Sequence, residues 1–405
     1  MKPLRPSPAF TLVEVIVVAG LIVLLMVVLV GMTDQTQRLV KNTSSKVEQF
    51  QEARVAYESM TRKLGQATLN SFWDYEYPGG DHTLTPIRYF RNAELRFRSG
   101  PMSTLTGGVA ANGNKQPGHG IFFNAPFGYV ANPKAYIDMN AANLYDLNIL
   151  DNLINTWGYF LEIGDDSTAL PAFVTGAAVG VAPRQRYRLM ELMQGSENLN
   201  VYTPTAQAPA NKTWFDQWVT GTGLPAGINR PVRPLAENIV ALIVMPRLSK
   251  SDEDAWMVAN PQATPTPPPL NSPNSDYNYD STNTTVADPM LNPRNQLPPV
   301  VQVIMVAIDE PSAQRLQDKY GTGGTAPDPL GKLGLDYSTV PATPPDTGVG
   351  LFKKAPTDQA LLNPNQLLTD LAAFENVLIA KRVSYRIFNT NVSIRGAKWS
   401  KSQTN

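Results

Sequence analysis

The chain has 405 residues, room for two or three domains or one large one with insertions, and its 34 Lys and Arg balance 34 Asp and Glu. That balance offers no global charge to nucleic acid or anionic lipid. The absence of cysteine excludes a disulfide scaffold, Fe–S clusters and cysteine-based zinc sites, and two histidines, His82 and His119, are too few for a histidine-rich metal site. With 35 Pro and 28 Gly, against an average nearer ~12% for the pair, loops and strands are favoured over a helical bundle.

Residues 1–9 are short and polar, with Lys2, Arg5 and three prolines. An apolar block then runs from Phe10 to Met32, interrupted only by Glu14. At ~1.5 Å per residue the block makes a helix of about 34 Å, enough to cross a bilayer. Lys2 and Arg5 precede it, so the positive-inside rule places the N-terminus in the cytoplasm and the chain after Thr33 outside; Arg38 and Lys41 weaken this orientation without reversing it. A cleaved secretory signal needs a shorter core and a small-x-small site, which Leu29-Val30-Gly31-Met32-Thr33 does not supply. An uncleaved signal anchor accounts for everything except Glu14. A carboxylate in a spanning helix costs roughly 2.5–3.5 kcal/mol at mid-membrane and less near the edge, so a partner for it is expected.

The residues around that acid, Ala9-Phe10-Thr11-Leu12-Val13-Glu14, resemble the processing site of type IV prepilins and of the pseudopilins of type II secretion. The resemblance implies cleavage between Ala9 and Phe10 by a prepilin peptidase on the cytoplasmic side, N-methylation of Phe10 and retention of Glu14. The family usually carries glycine before the cut, where this chain has Ala9, and many pilins have a helix-kinking proline where this chain has Gly31. Cleavage creates a cationic amine that can approach Glu14 of a neighbouring subunit in a filament, and pairing the two charges removes most of the cost each carries alone.

Residues 33–70 read as a helical stalk. Phe50, Tyr57 and Leu64 recur every seven residues, with Ala53, Met60 and Ala67 three positions later, an apolar stripe suited to packing on the chain's own domain. The polar stretch from Asp34 to Lys46 is expected to fray or bend. Residues 71–405 read as a β-rich domain. Ile87–Phe90 with Glu94–Arg98 is expected to form a hairpin. Further strands are expected over Gly120–Phe123, Tyr159–Ile163 and Arg186–Met193. The near-continuous apolar runs Ile239–Met245 and Val300–Ile308 suggest strands buried on both faces. Ten prolines between Pro261 and Pro299 mark 260–299 as a Pro-rich flexible loop. Helices are expected over Ser312–Tyr320 and Asn365–Ile379, then a strand or hairpin over Val383–Ile394.

The order of these pieces is similar to the J-type minor pseudopilins. The match runs through Leu235-Ala236-Glu237-Asn238 before a strand, a charged turn with Trp256, a second apolar strand after Leu297-Pro298, and an arginine-flanked strand from Arg382 to Arg395. The enlarged plan is also similar to the cassette protein C group of the Verru-Chthon cassette. The resemblance implies an α+β, pilin-like fold: a long N-terminal helix, transmembrane in its first half, packed on an antiparallel β-sheet domain with large loop insertions. A bulky chain with a Pro-rich excursion is awkward to stack at every position of a filament, which points to a minor, low-copy subunit.

No G-x-S-x-G, Walker or H-E-x-x-H motif is present, and no enzymatic activity or cofactor is expected. Asp252-Glu253-Asp254 and Gly164-Asp165-Asp166 are weak calcium candidates; they lack the regular ligand spacing, and an exposed turn explains them better. His82 and His119 read as surface polar residues in Gly-rich loops. Phe72-Trp73-Asp74-Tyr75-Glu76-Tyr77 is either a sugar- or partner-binding patch or, more simply, a closure of the helix end against the sheet. Trp214 and Trp218, four apart, admit the same two readings. The expected function is a structural subunit of a type II secretion or type IV pilus-like assembly, anchored by a single pass in a bacterial inner membrane. Most of the chain would lie in the periplasm or outside the cell. Its partners would be the peptidase/methyltransferase, other pilin-like subunits and the membrane, with no nucleic acid. The alternative is a membrane-anchored extracytoplasmic binding or sensory protein for which the cut serves only maturation.

Overall fold

A computed structural model of the chain describes residues 11–131, 153–164, 184–203, 211–224, 229–259, 277–283, 290–320, 351–352 and 366–399. The chain divides into two compact units, residues 1–51 and 52–405. Helix α1 (Leu12–Leu64) begins in the first and ends in the second. Its N-terminal portion is helical because no proline interrupts it and because every backbone group can be satisfied within the segment, a requirement that becomes absolute in lipid. Large apolar side chains between Leu12 and Met32 are 47–78% exposed. Where polarity returns, the Thr33 and Thr36 hydroxyls donate to the Leu29 and Met32 carbonyls, both at 2.8 Å, so neither is left without a partner. The expected fraying across Asp34–Lys46 is absent, since the segment is helical throughout.

In the second unit the last turns of α1 bury the stripe read from the sequence: Ala53, Tyr57, Met60 and Leu64, with Ala56 beside them and Ala67 just beyond the helix end. The helix stops at Gly65, six residues short of the expected stalk boundary, with Arg62 and Lys63 in its last turn, where cations complement the helix dipole.

The strands, in chain order, are β1 (Phe72–Glu76), β2 (Arg88–Asn92), β3 (Phe97–Pro101), β4 (His119–Pro126), β5 (Ile154–Gly164), β6 (Arg186–Gln194), β7 (Val232–Glu237), β8 (Ile239–Arg247), β9 (Tyr279–Asp280), β10 (Val300–Ile308) and β11 (Tyr385–Ser393). Short helices α2 (Met102–Leu105) and α3 (Asp216–Thr220) are followed by α4 (Lys250–Ala259), α5 (Glu310–Tyr320) and α6 (Gln366–Ala380). Among the described residues three antiparallel sheets form, ordered β1-β2, β11-β10-β8 and β7-β6-β5-β4-β3-β9. The expected α+β character is present.

The three-stranded sheet explains its own sequence. Ile243, Ile304 and Val306 share one core with Leu316 of α5 and Phe374 and Leu378 of α6. On the other side, Tyr57 of α1 donates its hydroxyl to the Val303 carbonyl at 2.7 Å and lies 5.6 Å from the Phe388 ring. With helices on both faces, β8 and β10 have no polar side and read as continuous apolar runs. The six-stranded sheet packs Phe122, Phe160 and Leu192 against Trp214, Phe215 and Trp218. Phe122 lies across from Gly158, where a Cβ would sit 2.3 Å from the Phe122 ring, so glycine is the residue that fits beneath this ring.

Several expectations are corrected. Strand β2 pairs with β1, and β3 pairs with β4, so Ile87–Phe90 and Glu94–Arg98 are not a hairpin. Pairing is a non-local choice that alternation alone does not specify. Most of the aromatic run, Phe72–Glu76, is strand β1, and the Phe72, Trp73 and Tyr75 rings stand exposed rather than closing the helix end. The 260–299 segment is not a uniformly flexible loop: β9 pairs with β3, and Tyr277, Tyr279, Gln296 and Leu297 are buried. Composition signalled its prolines but not the Tyr279 hydroxyl, which donates to the Gln296 carbonyl at 2.9 Å and ties the segment to itself. Residues 260–276 and 284–289 of that loop lie outside the described residues.

Candidate assembly site and buried polar clusters

The first turn of α1 is built by a reciprocal pair. Thr11 precedes the helix and accepts from the Glu14 backbone N–H through Oγ1 at 3.3 Å. Glu14 reaches back, and its Oε2 accepts from the Thr11 backbone N–H and hydroxyl, each at 3.1 Å. This is a capping box, Thr-x-x-Glu, which satisfies two donors that a helix start otherwise leaves open. The signature was present in Thr11-Leu12-Val13-Glu14, yet the reading of Glu14 from sequence attended only to its charge. Glu14 is exposed, and no other ionisable side chain occurs between Phe10 and Thr33. Leu12–Gln37 is long and apolar enough to cross a membrane, with none of it buried. The proposed junction, Ala9 and Phe10, lies outside the described residues. Gly31 continues the helix.

The acidic candidates fall elsewhere, and the exposed turn expected for Asp252, Glu253 and Asp254 is instead helix α4. The Ser249 hydroxyl donates to Asp252 and accepts from the Asp252 backbone N–H, capping the helix. Asp254 pairs with Lys250 at 2.6 Å. Among the described residues no group of three or more His, Asp or Glu is placed to hold a metal. Asp165 and Asp166 lie outside them.

The two histidines separate. His82 is exposed, its ring 4.5 Å from Tyr77. His119, expected on the surface, is 1% exposed in β4. Its Nδ1 lies 3.1 Å from the Val244 backbone nitrogen and 3.2 Å from the Val244 carbonyl oxygen, and Nε2 lies 3.1 Å from the Phe352 carbonyl. Phe352, at φ 62°, in turn donates its N–H to Asp370 of α6 at 2.8 Å. Trp214 and Trp218 are buried core residues, so the structural reading applies to both.

Two buried glutamates and a half-buried one were not legible in the sequence. Glu191 of β6 accepts from Lys63 and Trp157 at 2.8 Å, from the Tyr159 hydroxyl at 2.9 Å and from Arg233 at 2.7 Å. Burial works to raise its carboxyl, but the two cations and the indole outweigh it and hold the group below the usual range. Glu162 of β5 is opposed by burial in the same way and lowered by Arg230, Asn114 and Gln116. Glu310 at the start of α5 is lowered against burial by Arg186 and Asn238. Each carboxylate bridges separate segments, a role that depends on distant partners.

A scan of protein-family models, a search of curated proteins and a search of solved structures each find no match to this chain.

Proposed function

We propose that this chain is a minor pilin- or pseudopilin-like structural subunit of a type II secretion or type IV pilus-like assembly. In this reading it is cut between Ala9 and Phe10, methylated at Phe10 and anchored in the bacterial inner membrane by the first part of α1. The bulk of the chain lies outside the cytoplasm. The observation that carries the reading is the placement of Glu14. It is the only ionisable residue between Phe10 and Thr33, in a stretch of helix whose apolar side chains are exposed, and it sits four residues beyond the residue on which cleavage would create an ammonium. The capping box supports the same reading, because hydrogen bonds from Thr11 to the carboxylate lower the cost of holding an acid at the membrane edge until a partner arrives. The burial of residues 53–64 of the same helix against antiparallel strands is the packing a pilin-like body requires. The weak calcium candidates Asp252, Glu253 and Asp254 play no part.

Two variants separate capping from charge. Glu14→Gln keeps an acceptor for Thr11 and removes the charge, whereas Glu14→Ala removes both. Both are expected to insert in the membrane and fail to co-purify with other prepilin-like proteins. Normal incorporation of Glu14→Gln would overturn the charge-pairing reading. N-terminal mass spectrometry of native material should find N-methyl-phenylalanine from Phe10, and a chain that still begins at Met1 would overturn the processing; a cut chain purified as a lone monomer with a bound ligand would favour the anchored binding protein instead.

A further inference from the structure

One joint of the second unit brings β6, α5 and the turn between β7 and β8 together. A single residue, Asn238, separates β7 from β8, which belong to different sheets. Its φ of 60° is the left-handed conformation that Asn tolerates better than most residues. Its amide nitrogen donates to Glu310 Oε2 at 2.8 Å. Arg186, 2% exposed, uses four of its five N–H groups here. Nη1 donates to the Gln185 carbonyl at 2.9 Å and to Gln317, and Nη2 to Glu310 and, at 3.1 Å, to Gln314.

Three buried atoms at this joint have no hydrogen-bond partner among the described residues: Arg186 Nε, Gln185 Oε1 and Asn238 Oδ1. The three residues line one cavity of about 20 Å³, walled otherwise by Ile163, Tyr187, Ile308, Ala313, Leu316 and Gln317. The unpartnered atoms are one donor and two acceptors. A water molecule presents the complement, since its oxygen accepts from Arg186 Nε–H and its two hydrogens serve the two carbonyl oxygens. The volume admits a water molecule. An anion is disfavoured by the two acceptors, and a cation by the guanidinium. Left unsatisfied, each of these atoms would carry an uncompensated desolvation cost, most of which a bridging water recovers.

We infer that this cavity is a water-binding site, in which a long-lived internal water joins Arg186, Gln185 and Asn238. The water completes the polar bridge that holds β6, α5 and the turn between the two sheets in one arrangement. The site does not depend on the assembly reading.

In the full-length protein in detergent, with nitrogen-15 arginine, the Arg186 Nε–H should show a rotating-frame Overhauser cross-peak to water of nanosecond or longer residence. Absence of that cross-peak would overturn the site. Filling the cavity gives a second readout of opposite sign for the two cases. Ala313→Val should expel the water, abolish the cross-peak and lower the thermal midpoint by about 2–4 °C. A dry cavity gains from added methyl groups, so a raised midpoint would sink the proposal. The cross-peak in the unaltered chain decides the matter whether or not the variant folds.

Discussion

Lys63, in the last turn of α1, donates to Glu191 Oε1 of the six-stranded sheet at 2.8 Å, while its ammonium lies 4.3 Å from the centre of the Trp157 ring. Glu191 is fully buried and Lys63 one-quarter exposed. The helix is thus tied to this sheet by a desolvated charge, while Tyr57 of its apolar stripe meets β10 and β11 of the three-stranded sheet. Removing one member of such a pair leaves the other uncompensated. Glu191→Ala leaves the buried Trp157 N–H and Tyr159 hydroxyl and the mostly covered Lys63 without their shared acceptor and should cost about 3–5 kcal/mol. Lys63→Met leaves Arg233 to hold the carboxylate and should cost only about 1–2 kcal/mol. Denaturant unfolding of the full chain in detergent measures both, and equal losses would show that Arg233 contributes nothing.

The pH profile of stability follows from the same groups. The carboxyls of Glu162, Glu191 and Glu310 lie below their ordinary value when folded. Their contribution is therefore complete above the unfolded value of about 4.3 and disappears as pH falls through the lower folded values. Burial, with nearby carboxylates, pushes the Tyr159, Tyr277 and Tyr279 hydroxyls above 10.0. Their contribution is complete below about pH 10 and is lost as pH rises above it, because only the unfolded chain then ionises readily. Calorimetry should show a plateau in the thermal midpoint between about pH 5 and 9 with a fall on each side. A midpoint that climbs below pH 4 would contradict the ion-pair assignment.

His119 offers a local test. Its ring nitrogens meet the Val244 backbone and the Phe352 carbonyl, and Phe352 holds Asp370 on α6. His119→Leu removes both contacts from a buried site, at about 1–3 kcal/mol for each stranded backbone group. Hydrogen exchange should quicken first in α6 and at Val244, ahead of the six-stranded sheet. Uniform acceleration across the chain would mean that the ring acts only as bulk in the core.

The comparison of sequence with structure turns on range. The apolar helix, the stripe of Tyr57, Met60 and Leu64, and the strands β8 and β10 were legible because each is written in the local order of apolar and polar residues. The α6 face of Leu367, Phe374 and Leu378 was legible for the same reason, through a period of 3.6. Thr11-Leu12-Val13-Glu14 was equally local, and its capping geometry follows directly from the spacing.

Strand partners had no such signature. Alternation marked Ile87–Phe90 and Glu94–Arg98 as extended, but whether β2 met β3 or β1 depended on where the rest of the sheet lay. His119 reads as a polar residue between glycines until the edge of β8 and the Phe352 carbonyl are brought to it from 125 and 233 residues away. The buried glutamates are the same case, since Glu191 is an ordinary acid in the chain and becomes a desolvated anchor only when Lys63 arrives from 128 residues off. The sequence by itself determined the membrane-compatible helix, the helical stripe that follows it, the apolar strands β8 and β10 and helix α6, because hydrophobic periodicity acts over a few residues. Tertiary structure alone decided which polar groups are buried and whom they serve, because desolvation and pairing are properties of contacts between distant segments.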